Sequence, residues 1–269
     1  MAKKKRILYV SQEIKPYTPS SSLSETARYL PQAMNESGFE VRLFMPRFGS
    51  INERRHQLHE VIRLSGINLI VNDLDQPLII KVASVPQARM QVYFIDNEEY
   101  FKRKHTIVDN NGKLFEDNDE RMIFFCRGVL DTVKKLGWAP DVIHCNGWMS
   151  ALLPLYLKKH HKDDPMFSNT KVVYSDYNNA FEGELNSKLI EKVKFDGFTD
   201  DEVTGIETPN YVNLQKLALK YSDAFIKTED TPKEITSFAS ENNISTKDLC
   251  ERDAYKENYP EFYNALLDA

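Results

Sequence analysis

The sequence predicts an α/β fold: a Rossmann-like, doubly wound domain with a mainly parallel sheet and an antiparallel β insertion. Three observations predict it. Short apolar runs alternate with amphipathic segments of helical period near both ends of the chain. These runs are continuous rather than alternating, which is typical of strands buried on both faces. At about residues 58–96, by contrast, several β-type segments follow one another with only short turns between them.

The first unit is a strand at 6–11, a polar loop, a helix, and a second strand at 40–44. Ser22 and Glu25 have the spacing of a capping box at the start of the helix, and Gly38 follows its end. Apolar side chains recur at helical spacing between them: Leu23, Ala27, Leu30 and Met34. A strand–helix–strand unit of this kind is typical of the opening of a doubly wound fold.

The insertion is predicted from its turns. Ser-Gly, Asn-Asp and Pro-Gln pairs separate four β-type segments, at 61–64, 67–71, 78–85 and 90–95. We expect them to form an antiparallel or mixed sheet within a domain that spans residues 1–235.

Alternation of helix and strand resumes after the insertion. A helix whose apolar side chains keep helical spacing ends at Gly137. Strands follow at 141–145, 171–175 and 224–227, and helices at 148–158, 210–221 and from 231. Beyond 241 the chain is polar, with a last short helix predicted at 260–267. Residues 236–269 are therefore predicted to form a C-terminal helical tail.

Composition excludes several classes of function. With 35 Lys+Arg against 40 Asp+Glu, the net charge of −5 argues against a nucleic-acid partner, which needs a basic face. No run approaches the roughly 18 apolar residues of a membrane span, and the N-terminus lacks the apolar core of a signal peptide, so we expect a cytoplasmic protein with no membrane partner. The isolated Cys126, Cys145 and Cys250 predict neither a disulfide framework nor a metal site.

Ligands of doubly wound sheets bind at the carboxyl ends of the strands. Three predicted turns meet that rule, at residues 12–22, 146–148 and 176–183. These turns carry the candidate functional residues.

Long stretches around these turns resemble one known family. They include Ser-Gln-Glu-Ile-Lys-Pro-Tyr at 11–17, Gly-Phe-Glu-Val-Arg-Leu-Phe-Met-Pro-Arg at 38–47, Tyr-Phe-Ile-Asp-Asn-Glu-Glu-Tyr-Phe at 93–101, Asp-Asn-Asp-Glu-Arg-Met-Ile-Phe-Phe at 117–125, and Leu-Gly-Trp-Ala-Pro-Asp-Val-Ile-His at 136–144. Together they resemble the N-terminal half of bacterial glycogen synthases and plant starch synthases over most of residues 6–183, and more faintly to about 235.

Members of that family are retaining glucosyltransferases that use ADP-glucose and contain two Rossmann-type domains, the GT-B architecture. The resemblance implies that residues 1–235 form the first half of such a fold, and we expect the second domain to be absent. In the family a C-terminal helix packs back on the first domain. Here the segment 260–269, with Phe262, Leu266 and Leu267 on one face, is predicted to supply that contact.

The chain departs from the family at the loop after the first strand. The family's Lys-Thr-Gly-Gly-Leu is replaced by Pro19-Ser20-Ser21-Ser22-Leu23. The resemblance implies that the Lys places a cation near the donor, while the glycines let the backbone approach the diphosphate. Pro19 has no charge, and the serines add side chains. Ser20, Ser21 and Ser22 remain candidates for an anion site at the helix N-terminus, although a capping box explains Ser22 without a ligand.

Two further motifs lose ionisable groups. The family's His-Asp-Trp is replaced by Asn146-Gly147-Trp148, and its Thr-Ile-His-Asn by Ser-Asp-Tyr-Asn at 175–178. Tyr177 thereby stands where the family has the His beside the reacting sugar. Pro19, Asn146, Gly147 and Tyr177 are degenerate catalytic positions, and no catalytic residue is intact. The ligand candidates that remain at these turns are His144, Asn146, Trp148, Tyr177 and Asn178, of which His144 fits a sugar contact and a structural role equally well.

The function predicted from this combination is a glycogen synthase-like protein of storage-polysaccharide metabolism. Losing one preorganised donor around a leaving group typically costs about 10²–10³ in rate, and several are missing together. We therefore expect no independent catalysis, and binding of an α-glucan or a protein partner. Two alternatives stay open: a nucleotide-sugar glucosyltransferase completed by a separately encoded second domain, and an interaction protein without a carbohydrate link. No cofactor is expected, and ADP-glucose is a donor substrate only if the chain is active.

Overall fold

The computed structural model describes residues 4–177 and 179–269 and confirms the predicted α/β class. Its strands are β1 Arg6–Ser11, β2 Glu40–Pro46, β3 His59–Glu60, β4 Ile67–Val71, β5 Leu74–Ser84, β6 Gln91–Asp96, β7 Val142–Asn146, β8 Lys171–Ser175, β9 Ala224–Lys227 and β10 Ser245–Asp248. Its helices are α1 Ser22–Glu36, α2 Glu53–His56, α3 Glu98–Phe101, α4 Asn118–Leu136, α5 Leu153–His160, α6 Leu189–Phe195, α7 Asp200–Val203, α8 Tyr211–Lys220, α9 Lys233–Glu241 and α10 Tyr255–Asp268. Short 3₁₀ turns lie at Trp148–Ser150 and Arg252–Ala254.

The sheet has the strand order of a doubly wound fold. Its strands lie in the order β10-β9-β8-β7-β1-β2-β6-β5-β3, and from β10 to β6 every neighbouring pair is parallel. The chain builds outward from β1 through β2 to β6, then returns through α4 to β7 and builds outward in the other direction. The direction therefore changes between β1 and β7, which is where such folds bind ligands.

The antiparallel insertion is shorter than predicted. β5 is antiparallel to β6, and both β3 and β4 pair antiparallel with β5. β6 itself pairs parallel with β2, so it belongs to the main sheet and the insertion ends with β5. The strand predicted at 61–64 is instead a turn, because the amides of Leu64 and Ser65 both donate to the carbonyl of Val61.

Helices cover both faces of the sheet. α4, α5, α8 and α9 pack in succession on one face, while α1 and α10 pack against each other on the other. The α4 helix buries the apolar stripe predicted for it, including Met122, Phe125 and Val129. Among the described helices, none is long and apolar enough to cross a bilayer.

The C-terminal residues differ from the predicted helical tail. α9 runs across the predicted boundary at 235, and β10 adds a parallel strand beyond β9. Both elements are therefore parts of the same sheet domain. β10 escaped prediction because Ser245–Asp248 is polar throughout and pairs on one edge only.

The last helix packs on the domain through tyrosines. Tyr255, Tyr259 and Tyr263, spaced by four residues, form the buried face of α10, whereas Phe262, Leu266 and Leu267 are only partly buried. The predicted contact exists, but the predicted face was wrong. Two of the three hydroxyl groups find polar partners: that of Tyr255 lies 3.3 Å from Thr26 Oγ1, and that of Tyr263 lies 3.1 Å from the Tyr9 hydroxyl. The buried hydroxyl of Tyr259 has no hydrogen-bond partner among the described residues.

Removing one of these hydroxyls is expected to destabilise the domain. Tyr263→Phe leaves the hydroxyl of Tyr9 and Nδ1 of His144, which lies 2.7 Å away, without their buried partner. We expect the free energy of unfolding in urea to fall by about 1–3 kcal/mol.

Tyr93→Phe is the matched control, because Tyr93 is buried on β6 and its hydroxyl makes no hydrogen bond within the described part of the chain. Its stability should stay within about 0.5 kcal/mol of the wild type. Equal losses in the two variants would contradict the role given to the Tyr263 hydroxyl.

Candidate functional site

The candidate site lies where β1, β7 and β8 end. The last residues of these strands, Ser11, Asn146 and Ser175, are aligned in register across the sheet. The turns that follow them are the three predicted from the sequence, so the structure brings the candidate residues to one edge. Asn178 lies outside the described residues.

The serine loop after β1 caps α1 without a ligand. Ser21, and not Ser22 as predicted, is the N-cap: its Oγ accepts from the amide of Ser24, and Ser24 Oγ accepts from the amide of Ser21. Ser22 is the first helical residue and is exposed. The exposed Pro19 contributes its carbonyl, which accepts from Ser24 Oγ at 2.8 Å.

Two carboxylates lie at this helix N-terminus. Ser21 Oγ donates to Glu13 at 2.6 Å, and Ser20 Oγ donates to Glu25 at 2.8 Å. Lys15 also binds Glu25, at 2.5 Å, and this contact is the main reason that the pKa of Glu25 is lowered. The position that favours an anion is thus already next to negative charge, which opposes binding of a diphosphate here.

A small cavity of 330 Å³ opens above this loop. The serine loop and Glu13 form one wall, and Lys104, His105 and Thr106 form the other. The other wall thus carries the cation Lys104, which sequence reasoning did not assign to the site because it comes from the loop after α3 rather than from the loop after β1.

The backbone angle at position 147 and the side chains around it both require a glycine there. Its φ of +78° lies in the region that favours glycine. A Cβ placed there would lie 3.0 Å from Asn179 Nδ2 and 3.1 Å from both Gln12 Oε1 and Leu23 Cδ2. Gln12 is held in place because its Oε1 accepts from the amide of Met149 at 3.0 Å. The space beside this turn is therefore filled by the chain's own side chains.

Asn146 and Tyr177 are bonded to each other. The Tyr177 hydroxyl donates to Asn146 Oδ1 at 2.8 Å, and Asn146 Nδ2 donates to the carbonyl of His144 at 2.9 Å. Both side chains are buried. The residues at these two degenerate positions form an internal pair and present no group to a ligand.

His144 lies in the middle of a buried hydrogen-bond chain. Tyr9 donates to Tyr263, whose own proton is then directed at His144 Nδ1, and the other ring nitrogen lies 2.5 Å from Ser175 Oγ. This arrangement assigns the imidazole proton to Nε2. Burial lowers the pKa of His144 to about 3, so the ring is neutral at physiological pH. Both ring nitrogens of His144 are therefore bonded within the chain.

Trp148 is also enclosed. Its side chain has no exposed surface, and its ring packs edge-to-face on Phe181 at 5.0 Å. The ring is thus part of the core and presents no surface to a sugar in this structure, and a ligand contact by Trp148 stays a prediction.

A large cleft was missed by sequence reasoning. A cleft of 870 Å³ lies between a loop at 107–116, which follows β6, and a loop at 180–187, which follows β8. Phe115 and Phe181 lie on opposite walls, and Glu116, Glu182 and Glu184 add exposed carboxylates. The available signal was the polar Asn-Asn-Gly loop at 110–112, but nothing local relates it to residues 70 positions later.

Buried Arg121 holds one wall of this cleft. Its guanidinium donates to the carbonyls of Thr106 at 2.6 Å and Tyr100 at 2.7 Å, and to Asn118 Oδ1 at 2.5 Å. Arg103 joins the base of the same loop by binding both carboxylate oxygens of Asp117. Arginine suits this role because its planar fork can satisfy several fixed acceptors together. The hydrogen bonds of Arg121 and Arg103 thus hold this wall of the cleft in place.

No metal site accompanies these features: among the described residues, no three His, Cys, Asp or Glu side chains are grouped to hold an ion.

Comparison with known proteins shows which family the sequence is similar to. The family model of the starch synthase catalytic domain matches residues 6–245. The chain is 42% identical to the glycogen synthase of Chlorobium limicola over 189 residues (70% of this chain, 39% of that protein). It is 41% identical to that of Chlorobium luteolum over 226 residues (83% and 45%) and 36% identical to that of Chlorobaculum parvum over 243 residues (89% and 48%). The chain thus spans less than half the length of these relatives.

A solved structure shares the fold. The catalytic domain of starch synthase IV from Arabidopsis thaliana, bound to ADP and acarbose, superimposes with a TM-score of 0.76 at 15% identity, covering 94% of this chain and 53% of that one. Residues 246–269 lie beyond the family match.

The crowding at Gly147 can be measured. Gly147→Ala combines an unfavourable backbone angle with close contacts, so we expect the free energy of unfolding to fall by about 2–4 kcal/mol. Gly183→Ala is the matched control, because Gly183 has a similar φ of +82° but no atom within 4 Å of the added Cβ. It should lose only about 1–2 kcal/mol. If both variants lose the same amount, Gly147 is not enclosed as described.

The neutral state of His144 predicts a pH dependence. Because its pKa is depressed in the folded chain, the unfolded chain takes up a proton below about pH 6.5 that the folded chain refuses until about pH 3. Between these two pKa values, His144 therefore lowers the free energy of unfolding by about 1.4 kcal/mol for each unit by which the pH falls.

The free energy of unfolding of His144→Gln should accordingly fall less with acid than that of the wild type. The difference in the free energy of unfolding between the wild type and His144→Gln should shrink by about 2–3 kcal/mol between pH 7 and pH 4.5. Tyr263→Phe, which keeps the imidazole, should retain the wild-type slope. Parallel profiles for wild type and His144→Gln would show that the ring is not held neutral.

Proposed function

The chain belongs to the starch synthase catalytic-domain family, and we propose that it is a non-catalytic member, a pseudoenzyme of storage-polysaccharide metabolism that binds an α-glucan in the cleft between residues 107–116 and 180–187. The proposal rests on a contrast between the turns after β1, β7 and β8 and the cleft beside them. At the turns that would meet the nucleotide the polar side chains are bonded to one another and a cavity of only 330 Å³ adjoins the serine loop, whereas the cleft beside them has a volume of 870 Å³.

The first support is electrostatic. A nucleotide diphosphate needs cations and backbone donors around its phosphates. The serine loop instead holds Glu13 and Glu25, and the amides of Ser21 and Ser24 are bonded within the capping box. The pair of Tyr177 and Asn146 supplies no charge, because a phenol and an amide are both neutral, and the two groups are bonded to each other. Glucosyl transfer from ADP-glucose by this chain alone is therefore not expected.

The second support is the chemistry of the cleft. Sugar rings combine apolar C–H faces with hydroxyl groups, so their sites combine aromatic side chains with carboxylates or amides. Phe115 and the largely buried Phe181 line the cleft, and Glu182 and Glu184 supply acceptors at its rim. A cleft of 870 Å³ has room for more than one sugar unit, which favours an oligosaccharide over a monosaccharide.

One observation favours a second candidate function. The relatives, at 36–42% identity, are named glycogen synthases, and this chain spans less than half of their length. In that alternative, a further domain supplies the missing cations and completes an ADP-glucose glucosyltransferase. An interaction protein with no carbohydrate ligand is the remaining alternative, and the same experiment separates all three.

The decisive experiment is calorimetric titration with maltoheptaose, ADP and ADP-glucose in parallel. We expect maltoheptaose to bind and both nucleotides to give no heat beyond dilution. Phe115→Leu removes an aromatic wall while keeping an apolar side chain, and should weaken maltoheptaose binding about tenfold. Phe195→Leu is the matched control, since Phe195 is an exposed aromatic outside the cleft.

The three candidates predict different results. Binding of ADP-glucose, or ADP-glucose-dependent chain elongation, would contradict the proposal and support the enzyme. No binding of maltoheptaose would contradict any glucan role. Equal weakening in Phe115→Leu and Phe195→Leu would place the glucan elsewhere on the surface.

A further inference from the structure

The two walls of the cleft between residues 107–116 and 180–187 differ in charge. On the first wall, the Glu116 carboxylate lies 3.3 Å from the Lys113 ammonium, so this wall carries an ion pair without net charge. On the second wall, Glu182 and Glu184 are both exposed, and neither forms an ion pair among the described residues. The net charge of the cleft lining therefore comes from these two carboxylates.

The backbone that carries Glu184 is fixed to the chain behind it. Residues 184 and 210 form an antiparallel bridge, and the amide of Leu185 donates to the carbonyl of Pro209 at 3.0 Å. Gly183, between the two glutamates, has a φ of +82°, a left-handed angle that favours glycine. Glu184 is thus held on the rim of the cleft, with Glu182 only two residues before it.

We propose that Glu182 and Glu184 are specificity residues, which make the cleft selective for unphosphorylated α-glucan and exclude glucan chains that carry phosphate monoesters. The inference rests on the proposed function, because it names the form of α-glucan that the same cleft accepts.

The reason for the selectivity is electrostatic. A phosphate monoester carries a charge of about −1.5 to −2 at pH 7, whereas the hydroxyl groups of an unmodified glucan carry none. The Debye length is about 8 Å at physiological ionic strength, so charges on the rim act across a cleft of 870 Å³. A phosphate bound there is therefore repelled by both carboxylates.

The cleft offers a phosphate little compensation for that repulsion. Among the described residues that line it, Lys113 is the only cation, and Lys113 is already paired with Glu116. A neutral glucan meets no repulsion, and its hydroxyl groups can donate to the oxygens of Glu182 and Glu184. The same two residues thus favour one form of the polysaccharide and oppose the other.

The test is calorimetric titration of the full chain with two ligands. One is maltoheptaose, and the other is maltoheptaose phosphorylated on the 6-hydroxyl of every glucose unit, so that each register of the chain places a phosphate in the cleft. The readout is the ratio of the two dissociation constants within one protein, so it does not depend on how tightly a variant binds glucans in general. The wild type should bind the phosphorylated chain at least about tenfold more weakly.

Removing the two charges should remove most of this discrimination. Glu182→Gln/Glu184→Gln keeps an acceptor oxygen at each position, and the ratio should fall to about twofold. The matched control is Glu191→Gln/Glu241→Gln, because both residues are exposed, form no ion pair among the described residues and lie outside the cleft. It removes the same charge from the molecule, and its ratio should stay at the wild-type value.

Ionic strength gives a second measurement that needs no substitution. Raising the salt concentration from about 0.05 M to about 0.5 M shortens the Debye length, so the ratio measured for the wild type should shrink. Reversing the charges with Glu182→Lys/Glu184→Lys should go further than their removal, and this variant should bind the phosphorylated chain more tightly than the neutral one.

Equal affinity of the wild type for the two ligands would overturn the inference and leave the proposed function standing. A ratio that Glu182→Gln/Glu184→Gln and high salt both leave unchanged would also overturn it, because size and not charge would then exclude the phosphate. If maltoheptaose itself does not bind, the proposed function fails and this inference falls with it.

Discussion

The packing of α10 on β1 and β7 is the constraint on which the rest of the domain depends. These central strands carry polar side chains, Tyr9 and His144, on a face that must be buried, and buried polar groups are costly without partners. Tyr263 lies between them and bonds both, while Ser175 completes the chain on β8. The helix thus covers the point where the sheet changes direction and fixes His144 as a neutral residue.

The substitutions at the three turns fit one another. Gly147 leaves room that Gln12 and Asn179 occupy, and Tyr177 reaches Asn146. Around the serine loop, the hydroxyls donate to carboxylates, where a phosphate would need donors for itself. A site that had only lost charges would leave polar groups exposed and unpaired. This site has acquired internal partners, while the neighbouring cleft keeps a braced wall through Arg121. Internally bonded turns at one place and a cleft of 870 Å³ at the other are the physical basis for the proposed binding role.

Much of the fold was predictable because its signals are local. The β1–α1–β2 unit, α4 and the buried strands β7, β8 and β9 follow from apolar periodicity within short windows. β10 was not predictable, since a polar edge strand has no such pattern. The tyrosine face of α10 depends on partners far away in the sequence, as in the bond from Tyr263 to Tyr9. At the site, the sequence indicated which turns carry the candidate residues, but not that Glu13 bonds Ser21 or that Gln12 bonds the amide of Met149, because side-chain contacts between turns carry no local signal.

Hydrogen–deuterium exchange with ligand present tests the central claim most directly, because it reports each turn separately. With maltoheptaose, the amides of residues 107–116 and 180–187 should become protected, and with ADP-glucose those of residues 12–22 and 146–150 should exchange as in the free chain. Protection of residues 12–22 and 146–150 by ADP-glucose would contradict the account, because it would mean that the turns described as closed still bind a nucleotide.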